Sequence, residues 1–293
     1  MAAVLPIPEN PDFHALAHLL SGRRVVVLAG AGVSTESGIP DYRGPESRQR
    51  LRAPIQYQEF VRSEATRARY WARSAVGWLR VADAQPNPAH LALARMEAEG
   101  VVQGVITQNV DGLHQRAGSQ HVVELHGSLA WVRCINCGAS VPRDEFQTRL
   151  RDLNETWAAA MDGWSRKSDV EAAPDGDAEL PASASRNFRV PACERCAGVL
   201  KPDVVFFGEN VPRDRLDEAW RLFAEGEVLL VVGSSLTVYS GRRFIYRAGE
   251  TGIPIGIINL GSTRADDVAT TKLEGRAGVL LPRLAEALLP RSP

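Results

Sequence analysis

The sequence predicts an α/β protein: a parallel sheet with helices on both faces, plus a smaller helical and cysteine-bearing lobe. Three observations predict it. Short, largely apolar runs at 25–30, 227–232 and 255–260 alternate with segments of helical periodicity, as expected of strands buried on both faces. The first run passes directly into Gly30-Ala31-Gly32, a turn that lets backbone come close to a ligand. Finally, Cys134-Ile-Asn-Cys137 and Cys193-Glu-Arg-Cys196 form two C-x-x-C pairs 55 residues apart, the usual presentation of four thiolates to zinc.

The elements follow in order. Phe13, Leu16 and Leu20 define a first short helix that stops at Ser21-Gly22. After the strand at 25–30, residues 44–85 are rich in Arg, Gln and aromatics, with helical spacing at Phe60, Tyr70, Trp71 and Trp78, and read as a helical insertion. Asn87-Pro88 starts a helix that Gly100 closes. Residues 104–107 and 122–125 read as strands. Between the cysteine pairs, Phe146, Leu150, Leu153, Trp157, Met161 and Trp164 step by three or four and predict one amphipathic helix. The acidic, Pro- and Ala-rich stretch 167–185 is expected to be a mobile loop. Strands at 204–207, 227–232 and 255–260 follow, and a last helix after Pro282.

Composition removes several classes of function. Formal net charge is −1 across 293 residues, so neither nucleic acid nor an anionic membrane is an expected partner. No apolar run reaches the ~18 residues of a membrane span, and the first twenty residues have neither signal-peptide nor transit-peptide character. A cytoplasmic protein is expected. Only three of the 34 basic residues are lysines, a bias of GC-rich bacterial genomes. Without a secretory context, zinc is favoured over disulfides for the four cysteines; four thiolates leave no open position for a catalytic water, so the metal is expected to be structural.

Taken singly, the polar stretches are ambiguous. The glycines also fit an ordinary turn, and Thr35 stands where a hydride-transfer fingerprint would carry its third glycine. Asn109 and Asp111, at the end of a predicted strand, also fit an Asx turn before Gly112. His126, at the next strand end, has the ring chemistry of a general base near neutrality and equally that of a structural hydrogen-bonder.

Read together, the stretches resolve. Gly30-Ala31-Gly32-Val33-Ser34, Gly38-Ile39-Pro40-Asp41-Tyr42-Arg43, Thr107 to His114, Leu125-His126-Gly127, the two cysteine pairs, Lys201-Pro202-Asp203 through Gly208-Glu209, Gly233-Ser234-Ser235-Leu236 and Asn259-Leu260-Gly261 stand in the order seen in sirtuins. The resemblance runs from about Ser21 to Leu288. Arg69-Tyr70-Trp71-Ala72-Arg73, Gln85 to His90, Val238-Tyr239-Ser240-Gly241 and the long inter-cysteine insert resemble the class II branch, which includes the mitochondrial sirtuin four of animals.

The resemblance implies one catalytic domain: a Rossmann-like lobe (about 20–44, 86–132 and 199–293) and a small lobe made of the insertion (about 45–85) and a zinc module (about 133–198). It implies an NAD-dependent protein-lysine deacylase that releases nicotinamide and passes the acyl group to ADP-ribose. A mono-ADP-ribosyltransferase using the same NAD site is the alternative. Gly30, Ala31, Gly32 and Ser34, the closing loop with Asp41, Tyr42 and Arg43, and Gln108, Asn109, Val110 and Asp111 are implied to hold NAD. Gly233, Ser234, Ser235, Asn259, Leu260, Gly261 and Ala277 would take its phosphates and adenosine. His126 is implied as general base, with Asn109 positioning the ribose and a water. Cys134, Cys137, Cys193 and Cys196 would bind one zinc. The segment Val205, Phe206, Phe207, Gly208 and Glu209 would pair with an acylated-lysine peptide and line its tunnel with Tyr42. Tyr70-x-x-Arg73 aligns with the pair that class III members use for carboxylated acyl groups, so acidic acyl chains are expected to be accepted; Arg73 simply flanking a buried Tyr-Trp is the other reading. A monomer is expected.

Overall fold

In the computed structural model, residues 10–44, 54–165, 176–178 and 180–289 are described. Helix α1 (Pro11–Leu20) is capped by the Asn10 side chain, which accepts from Asp12 N. Strand β1 (Val25–Ala29) leads through a 3-10 turn to the loop ending at Gly44. Helices α2 (Tyr57–Arg62), α3 (Glu64–Asp83) and α4 (Pro88–Ala98) precede β2 (Val102–Thr107). A single turn, α5 (Leu113–Arg116), leads to β3 (Val122–Glu124), β4 (Gly127–Cys134) and β5 (Ser140–Pro142). Next come α6 (Arg143–Leu153), α7 (Glu155–Ser165) and β6 (Leu200–Val204). The chain finishes with α8 (Arg213–Ala224), β7 (Val228–Val232), α9 (Tyr239–Thr251), β8 (Ile255–Asn259), β9 (Thr271–Glu274) and α10 (Ala277–Leu288).

Six parallel strands form the main sheet in the order β3-β2-β1-β7-β8-β9. Apolar side chains of α1, α4 and α10, among them Phe13, Leu93 and Leu281, cover one face. Those of α8 and α9, including Phe223 and Phe244, cover the other. Each such side chain contributes about 1.5–3 kcal/mol by leaving water, which explains why β1 and β7 tolerate no polar residue. The register puts Ala29 level with Thr107 and Val232. Three loops therefore leave adjacent strands side by side at the C-terminal edge, where ligands bind in open sheets of this kind.

The small lobe is built on the antiparallel sheet β5-β4-β6 and a separate core of Phe60, Trp71, Leu129, Phe146, Leu150 and Leu200. Arg143, wholly buried, ties α6 to α3: its guanidinium donates to Gln147 Oε1 (2.6 Å) and Ser74 O (3.2 Å) and lies over the rings of Trp71 and Trp78.

Several expectations are corrected. The amphipathic helix between the cysteine pairs is two helices. Asn154 separates them by donating to Leu150 O and Arg189 O and accepting from Arg189 N, a side chain competing for backbone partners. The strand expected at 204–207 ends at Val204; Phe206 N bonds to the Glu209 carboxylate instead of a neighbouring strand. The last helix begins at Ala277 and contains Pro282. Of the acidic stretch 167–185, residues through 175 and residue 179 lie outside the described residues, but Asp177, Ala178 and Leu180 are buried, the latter two against Val76 of α3. Residues 45–53 of the helical insertion also lie outside the described residues. Among the described residues no helix is long and apolar enough to cross a membrane.

Candidate active site and metal centre

One cavity of about 950 Å³ runs along the C-terminal edge of the main sheet and under the small lobe. Every residue expected to hold NAD lines it, as do His126, Tyr70 and residues 205–209. The site is therefore assembled from at least eight separate stretches of chain.

Gly30 and Gly32 sit where β1 and β7 end. A Cβ on Gly30 would lie 2.7 Å from Ser234 Cβ and 2.8 Å from Gly233 O; one on Gly32 would lie 2.9 Å from Gly233 Cα. Gly233 itself has φ +61°, in the left-handed region. The two loops interlock through Gly30 N–H to Val232 O (2.9 Å) and Gly32 N–H to Gly233 O (2.8 Å). The glycines serve first to let two backbones touch, and the bare backbone wall that results is the cradle a pyrophosphate requires. The donor set fits NAD.

Beside this wall, Asn109 Nδ2 donates to Gly30 O (3.2 Å) and Ser34 Oγ (3.1 Å), and Ser34 Oγ donates to Asp111 Oδ2 (2.7 Å). Adjacent strands supply the partners, which is why residues 75 and 77 positions apart meet. Burial raises the Asp111 carboxyl above its ordinary range, against the hydrogen bonds from Leu113 N and Ser34. Beneath this loop His114 and His90 stack edge to face at 4.8 Å, both buried. Burial lowers their pKa values to about 3 and about 4. His90 Nδ1 accepts from Asn87 N, completing a capping box for α4.

His126 lies in the tight turn from β3 to β4. Its Nδ1 is 2.9 Å from Gln108 O, and its Nε2 is 2.7 Å from Ser240 Oγ. A carbonyl can only accept, so Nδ1 carries the hydrogen and Nε2 is left as the basic atom. Burial lowers the imidazole pKa; the Gln108 carbonyl raises it and the Arg243 charge lowers it further. The ring is thus neutral and fixed in the tautomer a general base needs.

Across the cavity, Glu209 organises the turn after β6. Its carboxylate accepts from Phe206 N (2.8 Å) and from the buried Lys201 Nζ (3.0 Å), and Lys201 also donates to Val204 O. Val205 N–H bonds to His126 O (2.8 Å), locking this wall to the turn that carries the base. Tyr42 of the closing loop meets Phe207 edge to face at 6.3 Å, and Asp41 Oδ1 accepts from Gly44 N (2.7 Å) and Arg43 N (3.2 Å). Tyr70 is buried against Phe60 and Phe206. Arg73 is not among the residues that line the cavity. Its guanidinium pairs with Asp177 (3.3 Å), which does line the cavity, and donates to Ala178 O (3.1 Å). Sequence reasoning missed Ser240 and Arg243, both of which line the cavity. The stretch Tyr239-Ser240-Gly241 had marked a branch of the family without suggesting a contact.

In the small lobe the four cysteine sulfurs lie within 4.8 Å of one another. Cys134 and Cys196 are 3.6 Å apart, Cys137 and Cys193 3.7 Å. A tetrahedron with bonds of about 2.3 Å puts its sulfurs about 3.8 Å apart. The two knuckles share one turn: Gly138 N–H bonds to Cys134 O, and Ala197 N–H to Cys193 O, with φ +71° and +57° at Gly138 and Ala197. Donor type and spacing fit one structural zinc ion.

The profile of the Sir2 family matches residues 30–240. The chain belongs to that family. Among similar proteins, the NAD-dependent protein deacetylase 2 of Bradyrhizobium diazoefficiens is 51% identical over 259 residues, 88% of this chain and 92% of the relative. The mitochondrial NAD-dependent protein lipoamidase sirtuin-4 of Bos taurus is 50% identical over 263 residues, 89% of this chain and 81% of the relative. A solved sirtuin structure described as a Sir2–p53 peptide–NAD+ complex superposes with a TM-score of 0.71 at 33% identity, covering 92% of this chain and 95% of the other. Sirtuin membership accounts for the pairing of an open parallel sheet with a four-cysteine lobe.

Proposed function

We infer that this sirtuin removes acyl groups from protein lysines at the expense of NAD, and that it carries one structural zinc ion. Membership in the family supports this, with relatives named as NAD-dependent deacetylases, deacylases and a lipoamidase. Those names favour acyl removal over transfer of ADP-ribose to protein. The observation that carries the reading is His126, held at Nδ1 by the Gln108 carbonyl and lining the cavity that also holds the glycine wall and residues 205–208.

NAD, when bound, supplies an electrophilic ribose carbon for the acyl oxygen to attack. Gly30, Gly32 and Gly233–Ser235 hold the phosphates by backbone. Asn109, Ser34 and Asp111 orient the nicotinamide end, and the loop from Asp41 to Gly44 closes over it and excludes water. His126 takes a proton at Nε2 from a sugar hydroxyl, a step typically worth ~10²–10⁴-fold. Val205, Phe207 and Tyr42 flank the acyl-lysine stem, and residues 204–208 offer backbone to the peptide, so affinity comes mostly from main-chain bonds. The chain acts as one catalytic domain of two lobes, in the cytoplasm, as a monomer, without nucleic acid or membrane.

Incubation with NAD and acetyl-, succinyl-, methylglutaryl- and lipoyl-lysine peptides should yield free lysine and nicotinamide together. His126→Ala should lower turnover at least ~10²-fold. Because the folded pKa of His126 is lowered from 6.5, the base stays neutral as pH falls, and the acid limb of kcat/KM should lie below pH 6.5. Deacylation by His126→Ala at the wild-type rate would refute the assignment of the base.

A further inference from the structure

We propose that Arg243 is a specificity residue at the rim of the cavity, selecting substrates with an acidic side chain beside the acyl-lysine. The inference rests on the deacylase reading and adds a preference to it.

Ser240, Arg243 and Tyr239 occupy the first turns of α9, and all three line the cavity. Ser240 Oγ touches the basic nitrogen of His126 at 2.7 Å, and Arg243 lies one helical turn, about 5 Å, further along the same face. The guanidinium sits 5.2 Å above the ring of Tyr239, which is 58% exposed. Arg243 is therefore at the mouth of the cavity, whereas Tyr70 is deep in it. Among the described residues no carboxylate pairs with Arg243, and its buried Nε has no hydrogen-bond partner.

Several other charges around the cavity are, by contrast, paired within the protein. Arg73 is neutralised by Asp177, Lys201 by Glu209 and Arg215 by Asp203. A cation partly withdrawn from water, stacked on an aromatic ring and left without a counter-charge is arranged for an anion that arrives with a ligand. The turn from Val204 to Glu209 forms another part of the cavity wall. A peptide laid along that wall, with its acyl-lysine directed inward past His126, would carry its neighbouring side chains to the rim where Arg243 stands. A carboxylate there gains a charge-assisted bond; a lysine meets like charge.

The test uses the full-length wild-type protein and matched peptides bearing Glu, Ala or Lys immediately before or after acetyl-lysine. At low salt the Glu peptide should exceed the Lys peptide about tenfold in kcat/KM at one of the two positions, chiefly through KM, and the gap should narrow in 0.5 M salt. Arg243→Gln should flatten the preference and Arg243→Glu should invert it; each ratio is internal to one variant, so overall loss of activity does not obscure it. Equal kcat/KM for all flanks in wild type would overturn the proposal while leaving the deacylase intact. Absence of deacylation with every peptide would instead sink the functional reading. A third arm compares succinyl- with acetyl-lysine in the Ala peptide: if Arg243→Gln abolishes only that discrimination, Arg243 reads the acyl end and the proposal fails.

Discussion

Replacing Gly30 by Ala tests the account of the glycine wall directly. The added Cβ would stand 2.7 Å from Ser234 Cβ and 2.8 Å from Gly233 O, about 0.7 Å closer than ordinary contact. It cannot be relieved by a rotamer, because two of the three nearest atoms are backbone. The ends of β1 and β7 must therefore separate, stretching the bonds Gly30 N–Val232 O and Gly32 N–Gly233 O. Overpacking costs about 1–3 kcal/mol, and weakening one or two backbone bonds adds about 0.5–1.5 kcal/mol each. A loss of roughly 2–5 kcal/mol on urea unfolding is expected, with KM for NAD raised more than tenfold. Gly249→Ala is the control: it sits inside α9 with nothing within 4 Å of the new Cβ and should be neutral or stabilising by up to about 1 kcal/mol. If Gly30→Ala matched wild type in both stability and KM, the close approach of the two loops would not be what the glycines are for.

Two further outcomes follow from the buried groups. Stability should fall as pH drops below 6.5 and go on falling to about pH 3, because the unfolded chain takes up protons that His90 and His114, held to about 4 and about 3 when folded, refuse; the loss is on the order of several kcal/mol, and a His90→Gln, His114→Gln double variant should flatten the urea midpoint across that window. Stripping the metal with a strong chelator, or replacing Cys134 by Ser, should unfold the small lobe and abolish deacylation together; full activity in a sample verified metal-free by elemental analysis would refute a structural role.

Where burial is uniform, sequence was a good guide. The strands at 25–29, 228–232 and 255–259 are enclosed on both faces, so their sequences are apolar but for Asn259 at the end of the last. Strand β9, Thr-Lys-Leu-Glu at the sheet edge, buries one side chain fully and had no such signature. The break at Asn154 was hidden because the apolar spacing continues through it while the decisive hydrogen bonds reach to Arg189. The candidate site shows the same division. Residues within one motif could be placed by their order along the chain, whereas the pairing of Arg73 with Asp177 and of His126 with Ser240 joins stretches more than a hundred positions apart, and no local pattern encodes either.

Strand β4 starts directly after His126 and ends on the metal ligand Cys134. Between Ser128 and Val132 the strand bulges against β6, so that its eight residues lie level with the five of Leu200–Val204, and this one bulged strand sets the spacing between His126 and the cysteine cluster. Inserting or deleting a residue there would shift one against the other. The chain between Cys137 and Cys193, by contrast, leaves the cysteine cluster and returns to it, and it meets α3 through Arg143 on the way.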